Sequence, residues 1–344
     1  MPVLRSFSAF VLMALVLLTR PALCAERTEV KLAGRTMGTT YHITVVAEGR
    51  TDPAVLQSDV DTLLEGVNAS MSTYRPDSEI SRFNGLSEAD APFAASDGFL
   101  EVMQAAREIF QLSGGAWDGT VLPLVDLWGF GRAGEQKTLP SPGEIERVRE
   151  RVGFNRISVN AGGFLSKKRA DVTVDLASIA KGYGVDQVAR MLENKALRDF
   201  LVEIGGEIYA SGHREDGKPW RVGINRPDPD AAATAVYKVV ALKNEAMATS
   251  GDYRNFNEIG GRLYSHIIDP RTGYPVDNGV VSASVFAPTC TLADGLATAM
   301  MVMGPEKGIG LLNLIQGVEG LIVVRHADGR LENFVSKGAG ALKD

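Results

Sequence analysis

Val172-Thr173-Val174-Asp175-Leu176-Ala177-Ser178-Ile179-Ala180-Lys181-Gly182-Tyr183-Gly184-Val185-Asp186 changes its apolar period as it runs. Val172–Val174 reads as an apolar strand, and beyond it Val185, Val188 and Leu192 fall at helical spacing. The chain therefore turns from strand to helix between them, and a helix N-terminus presents backbone N–H groups that suit an anion. Lys181 lies about one turn into the helix, where its ammonium can sit beside a phosphate. Ala177, Ser178 and Ala180 are small enough to let a ligand approach the backbone. The same residues also suit an ordinary helix start with a capping Asp and a solvated Lys. They are not a Walker loop, because the Gly-x4-Gly-Lys spacing is absent.

Outward from this junction the chain is rich in strands. Phe164-Leu165 precedes it; Leu201–Ile204, Ile208–Ala210, Arg221–Ile224 and Val236–Leu242 follow, with a turn-like loop over Asn225–Asp230. Tyr41, Ile43 and Val45 alternate with polar residues as in a half-buried strand. A helix is predicted after Pro53 through Leu56, Val60, Leu64 and Val67, and another through Phe99, Met103, Ala106 and Phe110, ended by Gly114-Gly115. Gly129–Pro142 reads as a surface loop, Glu144–Val152 and Lys307–Ile315 as helices, and Gly320–Val324 with Leu331–Phe334 as a hairpin about Asp328-Gly329. Strands and helices mix without a βαβ rhythm, which predicts an α+β fold with mixed sheets and packed helices.

The chain has 344 residues and a formal net charge of −6, which argues against nucleic acid as a partner. Its first residues read as an export signal: Arg5, an apolar run from Phe7 to Leu18, and a small-residue cleavage site at Ala22-Leu23-Cys24-Ala25. The organisation expected is a signal peptide over 1–24 and one domain over 25–344, in the periplasm, free or associated with the inner membrane. A lipid anchor on Cys24 is disfavoured by the bulky Leu23, and the run is short for a membrane span. The other cysteine, Cys290, has no electropositive neighbour in sequence and reads as a half-buried structural thiol.

Two further motifs bear on chemistry. In Thr291-Leu292-Ala293-Asp294-Gly295-Leu296-Ala297-Thr298, Asp294 and Thr298 are four apart on one helix face, where a carboxylate and a hydroxyl can ligate Mg²⁺. An Asp favouring the helix dipole explains the same pattern. In Tyr264-Ser265-His266-Ile267-Ile268-Asp269-Pro270-Arg271-Thr272-Gly273, His266 is read as lying in a strand before a turn, a setting for a general base or for a merely structural histidine. Thr36–Tyr41, Met71–Arg75, Gly115–Asp118 and Ala248–Tyr253 read as loops mixing small, aromatic and hydrogen-bonding residues, suited to a flat ring such as a flavin or adenine, or to packed turns.

Taken in order, TMGTTY, STYRPDSEISRFN, GGAWDGTVLPL, DLASIAKGYGVD, LVEIGGEIYASG, ATSGDYRNF, YSHIIDPRTGYPV and ADGLATAMMVMG make the chain resemble the ApbE family of FAD:protein FMN transferases from about Thr36 to its end. The resemblance implies an FAD cleft between two subdomains. It implies FAD contacts at Met37, Tyr74, Ala116, Trp117, Asp118, Asp175, Lys181 and Ile268. Mg²⁺ would be held by Asp294, Thr298 and the Ser178 carbonyl, and His266 would act in the transfer. The acceptor would resemble a membrane-associated electron-transfer subunit. The chain departs from the family pattern where Ala177-Ser178 stands for a frequent Gly-Gly, Trp117 for a frequent Phe and Gly119 for a frequent Pro. An FAD pyrophosphatase and a non-enzymatic flavin-binding protein remain alternatives.

Overall fold

The computed structural model describes residues 27–48, 51–131, 134, 138–160, 162–228, 231–232, 235–252 and 256–339. The expected export segment 1–24, Cys24 included, lies outside the described residues. Strands β1 (Arg27–Thr36) and β2 (Thr39–Glu48) form a hairpin. Helix α1 (Pro53–Met71) starts on an Asp52 cap with proline in its first turn, as its sequence predicts. Then come α2 (Glu79–Asn84), β3 (Phe93–Ala94), α3 (Asp97–Leu112), α4 (Leu122–Leu127), α5 (Pro142–Arg149), β4 (Ile157–Val159) and β5 (Phe164–Lys167). The central helix α6 (Ala177–Asn194) leads into β6 (Asp199–Ile204), β7 (Glu207–Ser211), β8 (Trp220–Asn225), β9 (Val236–Leu242) and β10 (Glu245–Gly251). Two small hairpins follow, β11 (Phe256–Ile259) with β12 (Arg262–Ser265) and β13 (Ile268–Asp269) with β14 (Tyr274–Pro275). Last are β15 (Val280–Ala287), α7 (Cys290–Met303), α8 (Pro305–Leu312), β16 (Glu319–Arg325) and β17 (Leu331–Val335).

The main sheet has eight strands in the order β1-β2-β6-β7-β10-β15-β16-β17. Every neighbouring pair in it is antiparallel, so the α+β expectation holds. Each face is covered. On one, Ile43, Val45, Ala248, Ala283 and Val285 pack with apolar residues of α1, α3, α6 and α7. On the other, Val46, Met247, Val281 and Phe286 pack against Trp220, Val222, Val240 and Leu242 of the β8–β9 hairpin. A smaller cluster joins Leu124, Trp128, Ile145 and Ile268 beneath the two small hairpins. Among the described residues no helix is long and apolar enough to cross a membrane.

Several sequence expectations change: Thr36–Tyr41, read as a loop, is the end of β1, a two-residue turn and the start of β2. Val172–Val174 belongs to no sheet: the Asn84 side chain donates to the Val174 carbonyl (2.8 Å) and accepts from its N–H (2.7 Å), doing the work of a neighbouring strand. Ala248–Gly251, read as a loop, lies in β10. His266 lies one residue beyond β12 rather than in a strand. Strand β1 alternates weakly, through Val30 and Leu32 alone, and β15 does not alternate at all. β1 is an edge strand with mostly polar residues, whereas every residue of β15 is buried because both its faces are covered.

Candidate active site

Helix α6 begins without a side-chain cap from Leu176; instead Asp175, one residue earlier, accepts the Ala177 N–H at 2.8 Å. The Asp175 N–H in turn donates to the Gly119 carbonyl at 2.7 Å, fixing the entry to the helix. One turn on, α6 meets the start of α7 so closely that a Cβ on Gly182 would collide with the Cys290 carbonyl. Asp186 pins this crossing: its carboxylate accepts the Cys290 N–H (2.7 Å), the Thr291 N–H (2.9 Å) and the Thr291 hydroxyl (2.6 Å). Cys290 is fully rather than half buried, and burial together with nearby carboxylates pushes its thiol pKa well up, so it is inert.

The crossing sets Asp294 against α6. Its Oδ2 accepts the Gly182 N–H at 3.1 Å. In a regular helix that N–H would serve the Ser178 carbonyl, so this carbonyl shares its usual donor with Asp294. Thr298, one turn after Asp294, reaches Ser250 of β10 at 3.2 Å. Lys181 completes the cluster, with its Nζ 3.3 Å from Glu207 Oε1 and 3.9 Å from Asp294 Oδ2. Burial alone would lower the Lys181 pKa, but the two carboxylates outweigh it and raise it. Burial raises the pKa of Asp294 against Lys181 and the Gly182 N–H; burial and then the Asp294 charge push Glu207 up to about 8. Asp294 is 3% exposed and Glu207 4%, and Glu207 Oε2 meets no hydrogen-bond partner.

Two buried carboxylates thus face one ammonium. Burial opposes ionising both beside a single ammonium, and a hard divalent cation on this all-oxygen donor set would stabilise their charged forms. Among the described residues no three His, Cys, Asp or Glu side chains gather as a metal site; Asp294, Thr298 and the Ser178 carbonyl offer one carboxylate, one hydroxyl and one carbonyl.

Lys181 also lines a cavity of about 570 Å³, together with Met37, Tyr74, Asp175, Ala177 and Ala180. Met37 sits at φ 48° in the β1–β2 turn, a costly conformation for a residue with a side chain, and Gly184 clears the space beneath it. Tyr74 is 83% exposed, an unusual position for an aromatic ring and one suited to stacking on a flat ligand. Of the predicted contacts, the structure brings Met37, Tyr74, Asp175 and Lys181 to this cavity. Ala116, Trp117 and Asp118 are buried in the loop beside the α6 start, and Ile268 is buried next to Trp128. The Asp118 carboxylate is committed to the Thr120 N–H and hydroxyl and the Phe154 N–H; burial nonetheless raises its pKa.

His266 Nδ1 lies 3.0 Å from Asp252 Oδ1. Asp252 continues β10 two residues beyond Ser250, so the two share one side of the strand, and Ser250 touches Thr298. A second cavity, about 510 Å³, opens beside Asp252 and is lined by Trp128, Tyr264 and Tyr274 among others. Sequence reasoning assigned no role to Asp186, Glu207, Ser250 or Asp252. Each acts on a residue far along the chain, and only the quoted motifs containing them could have drawn notice.

The ApbE family model matches residues 37–322. The chain belongs to the ApbE family. The FAD:protein FMN transferase of Vibrio cholerae is 44% identical over 320 residues, spanning 92% of this chain and 94% of that relative; the one of Haemophilus influenzae is 39% identical over 328 residues, spanning 94% and 93%. The flavin transferase ApbE structure from Vibrio cholerae superposes with a TM-score of 0.81 at 43% identity, covering 90% of this chain and 98% of that one. The apo flavinyl transferase ApbE of Pseudomonas stutzeri gives 0.81 at 37% identity, covering 91% and 96%. Trp117 and Ser178 are coupled here: the Trp117 indole N–H donates to the Ser178 hydroxyl at 2.9 Å, so ring and hydroxyl satisfy each other.

Proposed function

We propose that this chain transfers FMN from FAD to a threonine or serine hydroxyl of an acceptor protein, using Mg²⁺ and releasing AMP. The observation that carries this reading is Lys181, which lines the cavity under Tyr74 and stands 3.9 Å from the buried Asp294. The cavity suits a flat ring, and the cluster suits the pyrophosphate joined to it. Asp294, Thr298 and the Ser178 carbonyl would hold the cation, whose contribution is to neutralise charge on the phosphoryl oxygens. Lys181 adds a fixed positive charge, and the N–H groups at the start of α6 favour an anion.

In the reaction the acceptor oxygen bonds to the FMN-side phosphorus while the bond from that phosphorus to the bridging oxygen breaks. AMP leaves with that oxygen. The hydroxyl proton passes to His266, whose imidazolium Asp252 would stabilise through Nδ1 at 3.0 Å. We place the protein in the periplasm on the strength of Arg5 and the Phe7–Leu18 apolar run, with a membrane-associated electron-transfer subunit as the acceptor suggested by the family resemblance.

The test is intact-mass spectrometry of a candidate acceptor incubated with the full chain, FAD and Mg²⁺. A gain of one FMN phosphoester, abolished by EDTA, is the expected result. AMP and free FMN without any acceptor adduct would replace transfer with hydrolysis at the same site. Stoichiometric FAD binding without AMP across several acceptors would make the protein a flavin carrier.

A further inference from the structure

Lys181 and a divalent cation would compete for one oxygen. Asp294 Oδ2 is the carboxylate atom nearest the ammonium on α7, at 3.9 Å, and it belongs to the residue read above as a metal ligand. An ammonium left on that oxygen would exclude the cation by like-charge repulsion. Glu207 offers the way out. It begins β7, directly after Gly205 and Gly206, which both hold positive φ (60° and 103°). A Cβ on Gly205 would lie 2.8 Å from Thr39 Cγ2 and 3.2 Å from Lys181 Cδ, so the turn packs closely against both the threonine and the lysine stem. At its end Glu207 Oε1 already holds Lys181 Nζ at 3.3 Å. Its other oxygen is buried and unpartnered, a second acceptor ready for an ammonium that swings off Asp294.

We infer that Glu207 is a positioning residue that keeps Lys181 off Asp294, so that one site holds the ammonium and the divalent cation side by side. This rests on the reading of Asp294 as a cation ligand. Without Glu207 the ammonium falls back on Asp294 and becomes a competitive plug. Removing the ammonium as well frees Asp294 again.

The test measures Mn²⁺ binding to the full chain, by paramagnetic resonance or calorimetry, for wild type, E207Q, K181M and the double variant. E207Q is expected to weaken Mn²⁺ binding by about tenfold or more, the scale of a lost outer-shell partner. K181M is expected to bind Mn²⁺ more tightly than wild type, and the double variant to match K181M. Unchanged binding in E207Q overturns the inference. A double variant weaker than K181M by the full E207Q factor also overturns it, making Glu207 a ligand itself. Should E207Q not fold, as judged by circular dichroism, K181M decides alone: binding no tighter than wild type overturns the inference. Wild type that binds no Mn²⁺ sinks the metal reading instead, a separate outcome.

Discussion

Trp117 is 1% exposed, and its indole N–H has a partner only because residue 178 carries a hydroxyl. A buried indole N–H without a partner is costly, whereas removing both partners together is not. Trp117→Phe and Ser178→Gly should therefore couple: a double-mutant cycle by urea denaturation should give an interaction of about 1 kcal/mol. Additive losses would show that the hydrogen bond contributes nothing. Glu207 makes a second residue-scale prediction. Its folded pKa of about 8 lies above the ordinary 4.5, so in the metal-free protein the stability it contributes is full below pH 4.5 and lost as pH climbs through 8. Lys181 from α6 and Asp294 from α7 are the charged groups that face it. Metal-free wild type should lose melting temperature between pH 5 and pH 8.5 more steeply than E207Q, and parallel profiles would contradict the assignment.

At the scale of elements, the site is a product of how α6 crosses α7. Gly182 permits the approach, Asp186 caps the start of α7, and Asp294 then meets the Gly182 N–H of α6 while Thr298, one turn on, reaches Ser250 of β10. Asp186→Ala would leave two backbone N–H groups and the Thr291 hydroxyl buried without a partner, a cost of about 3 kcal/mol or more in urea denaturation. Loss of Mn²⁺ affinity should accompany it, because the cap sets the register of Asp294; a large stability loss with affinity intact would show that the crossing does not place the site. Long helices were legible in the sequence where an apolar stripe met a cap or a glycine stop, as in α1 and α3, whereas the six-residue α2 was too short to show one. Most strands were legible from alternation or from a run of branched apolar residues, as in the largely buried β16. β15 hides behind uniform burial and β10 behind small residues that admit α7, while Val172–Val174 has the pattern of a strand with an asparagine side chain as its neighbour.

For the whole molecule, one antiparallel sheet carries helices on one face and a hairpin layer on the other, and the chemistry gathers at the helical face. The candidate residues Asp175, Lys181 and Asp294 stood out because short motifs place a charge near the start of a helix, and Thr298 because it follows Asp294 by one turn. Glu207, Ser250 and Asp252 did not, since their partners come from other elements and no local spacing records the meeting. The proposed function puts FAD in the cavity under Tyr74 with its cation between α6 and α7. Anomalous diffraction from crystals of the full chain grown with FAD and Mn²⁺ tests it most directly. The account predicts one manganese peak bound by Asp294, Thr298 and the Ser178 carbonyl, touching the FAD pyrophosphate, with a ring of the dinucleotide against Tyr74. Manganese bound elsewhere, or FAD ordered outside this cavity, would contradict it.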